Sequence, residues 1–294
     1  MEAISLTKRR RRKTNWIIFV LPAFLFLWIA CFSPIGVAFK MSFFRPMGNK
    51  EVFVGLLHYA RTLQDSLFWQ ATKNTFYITG ITVFSHLLLG LTFALLLNKP
   101  IKFQKLWRGL HFVPWIFPPV VVAVIWILMY QSEFGFINTV LSQLGLSRFR
   151  YSWLGRPNTA LTMVAIACIW CGFPLYSIML LAARQNIPPE LYDAAAVDGG
   201  SERQQFSHIT IPLLMPTILT ILLLDTIWTF RFFDLVWVMT KGGPVHTSEI
   251  LPTYVYKTAF LEFDFNRAAS IAGLMFLFML CFCIIYIFLY RPRS

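Results

Sequence analysis

Residues 187–214 read IPPELYDAAAVDGGSERQQFSHITIPLL. They lie between two long apolar segments and form the most polar internal stretch that still carries helical signals. Pro188-Pro189 followed by Glu190 is a helix start, because proline fits the first turn and an acid there meets the positive end of the helix dipole. Ala194, Ala195 and Ala196 are the strongest helix formers available. Gly199-Gly200 ends that helix, since glycine tolerates the left-handed closing conformation. Ser201 and Gln204 have the spacing of a capping box, so a second helix begins at once. Pro212 marks the return to apolar sequence. The stretch therefore predicts a short helix, a two-glycine turn and a second helix, held rigid by their own caps and presented between two membrane spans.

Composition supports the membrane setting. Apolar residues make up 57% of the 294 and charged residues 13%, about half the usual charged share of soluble domains. Runs of about 20 mostly apolar residues recur, each long enough to cross the hydrocarbon core as a helix. None alternates as a membrane-spanning strand would. The expectation is an all-α polytopic membrane protein with six transmembrane helices at about 16–39, 72–97, 110–130, 158–183, 209–230 and 268–290. They form a single transmembrane domain, residues 16–290, between a basic N-terminal segment, residues 1–15, and a short tail, residues 291–294, with the polar loop at 185–208. The third span contains Pro114, Pro118 and Pro119, so part of it cannot be regular helix. Broken backbone at membrane depth is tolerated where it faces protein or a cavity.

Charge sets the orientation. The net charge is +13, and its densest run, Lys8-Arg9-Arg10-Arg11-Arg12-Lys13, directly precedes the first span. There it reads as a cytoplasmic anchor under the positive-inside rule rather than a nucleic-acid arm, because no aromatic-interleaved basic face follows it. Lys99, Lys102, Lys105 and Arg108 repeat the signal between the second and third spans. Six spans then leave both termini and the polar loop in the cytoplasm. The first span is too long for a signal peptide, and no small-residue cleavage site follows it.

Several chemistries lack support. No GxxxxGK[ST] phosphate loop occurs, so the chain has no evident means of cradling ATP. The five histidines are scattered without metal-ligand spacing and read as interfacial or packing residues. Cys168 and Cys171 have the CxxC spacing, yet lie in an apolar run without further ligands, and read as small packing residues. The chain shows no catalytic set and no cofactor site of its own.

One acid stands inside a span, where ionisable groups are costly and invite a functional reading. Asp225 lies in ILLLDTIWTF, read as more than two turns from either end of the fifth span, with Thr229 four residues on and on the same face. The candidate cargo pathway is Trp115 and Pro119 on the third span, Cys171 and Gly172 on the fourth, and Asp225, Trp228 and Thr229 on the fifth. A carboxylate accepts hydroxyl hydrogen bonds and an indole stacks on the apolar face of a sugar ring. Equally open is a structural reading, with Asp225 bonding a neighbouring helix and the tryptophans serving as packing and interfacial residues. No Lys or Arg lies deep in a span, which favours a neutral cargo over an anionic one.

The docking stretch resembles the cytoplasmic EAA motif of permease subunits in bacterial ATP-binding-cassette importers: EAA, three residues, G, nine residues, I, one residue, LP. Asp193-Ala194-Ala195 is followed after three residues by Gly199, and nine more lead to Ile209, Thr210, Ile211 and Pro212. Asp replaces Glu at 193 and Ile replaces Leu at 211, both with similar chemistry. Two external stretches support the resemblance. Val54-Gly55 to His58-Tyr59 and Phe68-Trp69 to Asn74-Thr75 look like the approach to the second span in sugar-importer permeases. Thr240-Lys241-Gly242-Gly243-Pro244 looks like a TGGP turn of the same permeases, of the half similar to the first subunits of maltose and glycerol-phosphate systems. The resemblance implies the type I importer permease (MetI-like) fold in the bacterial inner membrane. It implies a second homologous permease subunit, two ATPase subunits that bind ATP and Mg, an external solute-binding protein, and a sugar, oligosaccharide or polyol as cargo. It implies coupling to the ATPase through Glu190, Asp193, Ala194, Ala195, Asp198, Gly199, Ile209 and Pro212. Glycerol phosphate or another small solute is the alternative cargo. A membrane receptor without a transport cycle and an ion-driven carrier are the alternative classes, the latter disfavoured by a single deep acid and no internal repeat.

Overall fold

The computed structural model describes residues 19–48 and 50–290. The basic N-terminal run, the first residues of the expected first span and Arg291 and Arg293 lie outside those residues. In chain order the elements are α1 (Phe19–Phe43), β1 (Phe44–Met47), β2 (Lys50–Phe53), α2 (Leu57–Gln64), α3 (Ser66–Asn98), α4 (Gln104–Ile116), α5 (Pro119–Tyr130) and α6 (Phe136–Gln143). They continue with α7 (Ala160–Gln185), α8 (Glu190–Val197), α9 (Glu202–Phe230), α10 (Asp234–Thr240), α11 (Leu251–Tyr256) and α12 (Phe265–Leu289). Five of these helices are long and apolar enough to span a membrane, and α4 with α5 makes a sixth, broken span.

The span boundaries differ from those read off hydropathy, and local chemistry explains why. α3 starts at Ser66 rather than 72 because Asp65 caps it, its Oδ1 accepting from Leu67 N at 2.9 Å. The 33-residue α3 is about 50 Å long, well beyond a hydrocarbon core. α4 starts at Gln104 rather than 110, after the left-handed Phe103 (φ 59°). Two α4 side chains close α3: Gln104 Nε2 donates to Leu97 O at 2.9 Å, and Arg108 donates to the same carbonyl at 3.0 Å. They serve the open carbonyls of a helix C-terminus, where a cation is also electrostatically favoured. Lys105 and Arg108, read as loop, are therefore helical. The segments expected to be irregular also carry structure. An antiparallel hairpin pairs Phe44 with Phe53 and Met47 with Lys50, and α2, α6, α10 and α11 are short helices outside the spans.

The bend in the third span measures 94° and falls between Ile116 and Pro119. Phe117 and Pro118 each precede a proline, and each is extended, with ψ of 135° and 141°. A residue before proline is driven from the helical region by the following ring, so two in succession stop α4 outright. Pro118 O then accepts from Val121 N at 2.9 Å and starts α5. Pro114, expected to help break the span, stays inside α4.

Two helices each contain one π turn placed just before a proline. In α1 it covers Trp28–Phe32, and Ser33 N bonds Trp28 O ahead of Pro34. In α9 it covers Phe206–Thr210, and Ile211 N bonds Phe206 O ahead of Pro212. Proline cannot donate to the fourth carbonyl back, and the wider turn relaxes that site. As a result the second helix of the docking stretch does not end before the fifth span, as expected; it runs into it as one 29-residue helix.

The chain forms two compact units. Of the described residues, one holds 19–64 with 258–274. Within it Ser42 and Tyr59 hydroxyls lie 2.8 Å apart, Thr62 meets Ser270 at 3.0 Å, and Asn266 Nδ2 donates to Met41 O and Phe44 O. The apolar residues of α1 from Phe19 to Phe39 are exposed, as for a helix that faces lipid or another chain. The other unit holds residues 65–257 with 275–290. There α3 packs along α7, with α9 and α4 against them and α10 against α5. Its apolar core has two parts. One gathers Val122 and Trp126 of α5, Val164 and Cys168 of α7, and Leu235 and Val236 of α10. The other gathers Ala94 and Leu97 of α3, Tyr176, Leu180 and Leu181 of α7, Ile187, and Leu214, Ile218 and Ile221 of α9.

The first turns of α3 interlock with residues 246–251, which follow the Thr240–Pro244 turn and lie far off in sequence. Asn74 Nδ2 donates to Thr247 O at 3.0 Å and Glu249 O at 2.8 Å, Gln70 Nε2 donates to His246 O, and Leu251 N donates to Thr75 Oγ1. Gly242 (φ +80°) has a backbone only glycine adopts freely, and a Cβ there would strike the buried Glu249 carboxylate, which pairs with Lys257 and His246.

Candidate functional site

The docking stretch closes as its sequence predicts. Pro189 O accepts from Tyr192 N at 2.9 Å and opens α8. At the other end Gly199 N bonds Ala196 O and Gly200 N bonds Ala195 O, the paired closure that satisfies two orphan carbonyls. The two glycines serve different needs. Gly199 has open space around it but φ +80°; a Cβ on Gly200 would sit 2.8 Å from Ala195 O. Ser201 Oγ accepts from Gln204 N, and Gln204 Oε1 accepts from Ser201 N at 2.8 Å, completing the capping box. Glu190, Asp193, Ala194, Asp198 and Gly199 are exposed and Ala195 is half-buried against the turn. Ile209 packs inward on the apolar cluster of α7 and α9, and Pro212 is exposed on α9. The expected coupling set thus divides into a surface on α8 and its turn, and residues that seat the start of α9.

All seven residues expected to line a pathway, Trp115, Pro119, Cys171, Gly172, Asp225, Trp228 and Thr229, meet at one cavity of about 340 Å³. The break between α4 and α5 provides Trp115, Phe117 and Pro119, so irregular backbone faces the cavity, where it is tolerated. Trp115 and Trp228 are each nearly half exposed. Phe117, Phe232, Leu175 and Met179 fill the wall between them, and no Lys or Arg lines it. Trp170, another residue of the fourth span, turns away and packs edge-on against Trp126 at 6.0 Å.

α9 closes at Phe230, the expected end of the fifth span, and Asp225 lies five residues before it, less than two turns rather than the more than two turns read from the sequence. Asp225 also has partners that sequence reasoning missed. His86 Nδ1 on α3 lies 2.9 Å from Asp225 Oδ2, and the Tyr176 hydroxyl on α7 donates to the same oxygen at 2.9 Å. Thr229 Oγ1 donates to Oδ1 at 3.3 Å, as the shared helix face predicts. The other nitrogen of His86, Nε2, lies 3.2 Å from Cys168 O. Both ring nitrogens thus face acceptors. A ring with two protons donates to both, whereas a neutral ring beside an ionised carboxylate leaves a lone pair facing an oxygen. An imidazolium beside a carboxylate, or a neutral imidazole accepting from a carboxylic acid while its Nε2–H donates to Cys168 O, each satisfies both contacts, and neither form leaves a net charge at the site.

Two glycines admit the partners. A Cβ on Gly172 of α7 would overlap the His86 ring, and one on Gly90 of α3 would overlap Tyr176 Cβ. Each helix thus presents a large residue and a glycine one turn apart, and each large residue enters the other helix's gap. The rule that singled out Asp225, an ionisable residue inside an apolar run, applies equally to His86. Tyr176, one turn beyond Gly172, had no such signal. The deep acid is therefore both at once: it bonds neighbouring helices, and it faces the cavity.

A match to the family described as binding-protein-dependent transport system inner membrane component spans residues 86–291. The trehalose/maltose transport system permease protein MalF of Thermococcus litoralis is 34% identical over 98% of this chain and 97% of its own. The sulfoquinovosyl glycerol transport system permease protein SmoG of Agrobacterium fabrum is 32% identical over 98% and 96%. Among solved structures, a bacterial ABC transporter involved in the import of the acidic polysaccharide alginate matches with a TM-score of 0.87, over 99% of both chains at 23% identity, a likeness of fold. The matched span contains both the docking stretch and every residue of the clasp around Asp225, from His86 to Thr229, and the chain belongs to the binding-protein-dependent transport system inner membrane component family, as a permease subunit of an ATP-binding-cassette importer.

Proposed function

We propose that this permease forms half of the translocation path for a neutral sugar, oligosaccharide or polyol across the bacterial inner membrane, with both termini and α8 in the cytoplasm. The observation that carries this reading is the cavity, where two half-exposed tryptophans and two phenylalanines stand around the hydrogen-bonded Asp225 and His86. Flat aromatic faces suit the apolar face of a pyranose. The absence of Lys and Arg from the lining favours a neutral cargo over a phosphorylated one. The names of the relatives, one for trehalose and maltose and one for sulfoquinovosyl glycerol, point to glycosides.

A second, homologous permease supplies the other half of the path, and two ATPase subunits hold ATP and Mg. An external solute-binding protein delivers cargo; a related alginate transporter was solved in complex with a periplasmic protein bound to an alginate pentasaccharide. The exposed face of α8 seats in an ATPase subunit, with Asp193 and the Gly199 turn as its contact. Closure of the ATPases draws the docking helices together, and the bundles rock to open the cavity outward. Within this chain Asp225, His86 and Tyr176 hold α3, α7 and α9 as one wall during that motion, and Trp115 and Trp228 meet the cargo.

The test is to purify the natural complex through a tag on this chain, as wild type and as Asp193→Lys, and to measure ATP hydrolysis with maltose and trehalose after reconstitution. The expected result is an ATPase and a second permease with wild type, loss of the ATPase from the variant, and sugar-stimulated hydrolysis. Absence of any ATPase from the wild-type complex in mild detergent overturns the reading.

A further inference from the structure

The coupling helix is joined to the spans by more than its two connecting turns. The Tyr192 ring lies beneath the Arg184 guanidinium of α7, 4.0 Å from ring centre to Cζ. Its hydroxyl lies 2.9 Å from Thr210 Oγ1 in the π turn of α9. Thr210 is 3% exposed, so this bond is sheltered from water. Its neighbours on α8 point outward: Leu191, Asp193 and Ala194 are exposed, and Val197 is 88% exposed. Tyr192 also packs on the apolar cluster that holds Leu180, Leu214 and Tyr176. Tyr176, at the far side of that cluster, is the residue whose hydroxyl reaches Asp225 at the cavity. One side chain of the coupling helix is thus gripped from α7 by a cation–π contact and from α9 by a hydrogen bond, and both helices line the cavity.

We propose that Tyr192 is the positioning residue that transmits displacement of α8 to α7 and α9 together. An α8 joined only by its turns would move while the spans lagged; a helix bolted to both moves them as one lever. This rests on the proposed seating of α8 in an ATPase subunit. It assigns to Tyr192 no contact with the ATPase or the cargo.

The experiment uses the whole reconstituted complex and a reporter already in the cavity wall, Cys171. Labelling of Cys171 by a small water-soluble maleimide, mapped by mass spectrometry, is compared without nucleotide and with ATP plus vanadate. Wild type should show a clear contrast between the two states. Tyr192→Ala should retain the ATPase and basal hydrolysis but lose the contrast. Tyr192→Phe and Thr210→Val, which keep the ring contact, should each weaken the contrast by about fivefold, the worth of one hydrogen bond, and Thr210→Ser should restore it. A merely structural role would lower the yield of complex without this split between hydrolysis and labelling. The proposal is overturned if Tyr192→Ala keeps the wild-type contrast, or if it sheds the ATPase, which would make Tyr192 part of the docking surface. If Tyr192→Ala does not assemble, Tyr192→Phe and Thr210→Val decide the matter by the same criterion. A wild-type complex that lacks an ATPase, or labels identically in both states, defeats the seating of α8 itself.

Discussion

The docking stretch and the cavity are built in opposite ways. The first is local: proline start, alanine body, two-glycine stop and capping box are all made within residues 187–214, by groups a few positions apart. The second is assembled from afar. Its central acid on α9 bonds a histidine 139 positions earlier on α3 and a tyrosine 49 positions earlier on α7. A local device tolerates the loss of one part, because neighbouring bonds still hold the chain. A buried pair does not, because removing one partner strands the other's charge in a low dielectric.

The largest expected effect therefore lies at the cavity. Asp225→Ala should destabilise the protein by about 3–5 kcal/mol by leaving His86 unpaired. The double variant His86→Leu with Asp225→Leu should recover a large part of that loss, read as thermal unfolding in detergent. Equal instability of the single and double variants would mean that the two groups are not a charge pair. Next comes packing. Gly172→Ala forces the added methyl into the His86 ring and should cost about 1–3 kcal/mol; made in the His86→Ala background, where that space is vacant, the same change should cost little relative to His86→Ala alone. An undiminished cost in the double variant would place the clash elsewhere.

At the docking stretch the effects shrink. Gly199→Ala must hold a left-handed alanine, about 1–2 kcal/mol, with no steric contact to worsen it. It should weaken retention of the ATPase in a pull-down while leaving the melting of the bundle nearly unchanged. Ser201→Ala, which removes one half of the capping box, should cost about 1 kcal/mol and lower ATPase retention slightly. A large fall in melting temperature from either change would show that the docking stretch is not the self-contained device its bonds suggest.

Legibility in the sequence follows the same division. The docking helix, its stop and its second start were readable because each signal and its structural partner lie within one or two turns. Six spans and a break in the third were readable because apolar length and paired prolines act along the chain. Span ends were less so: Asp65 as the cap of α3 and Gln104 with Arg108 as the cap of its far end are polar groups outside the apolar run that hydropathy weighs. The cavity set was found residue by residue through Asp225, the prolines and the tryptophans, yet its organisation was not. Nothing along α3 marks Gly90 as the slot for Tyr176, and His86 reads as packing until Asp225 stands opposite it. Pairings between helices are set by packing, which a single sequence does not display.

The π turn at Phe206–Thr210 has a geometric consequence. One residue more than a regular turn advances the azimuth of everything beyond it by about 100°. A helical wheel drawn straight from Ser201 through the fifth span would place Asp225 on the wrong side of α9. Phase along this helix is carried by that single extra residue: deleting one position between 206 and 210 would restore a regular turn and keep the acid at the cavity, whereas deleting one position between 211 and 224 would turn it away while leaving the apolar residues of the span in the membrane.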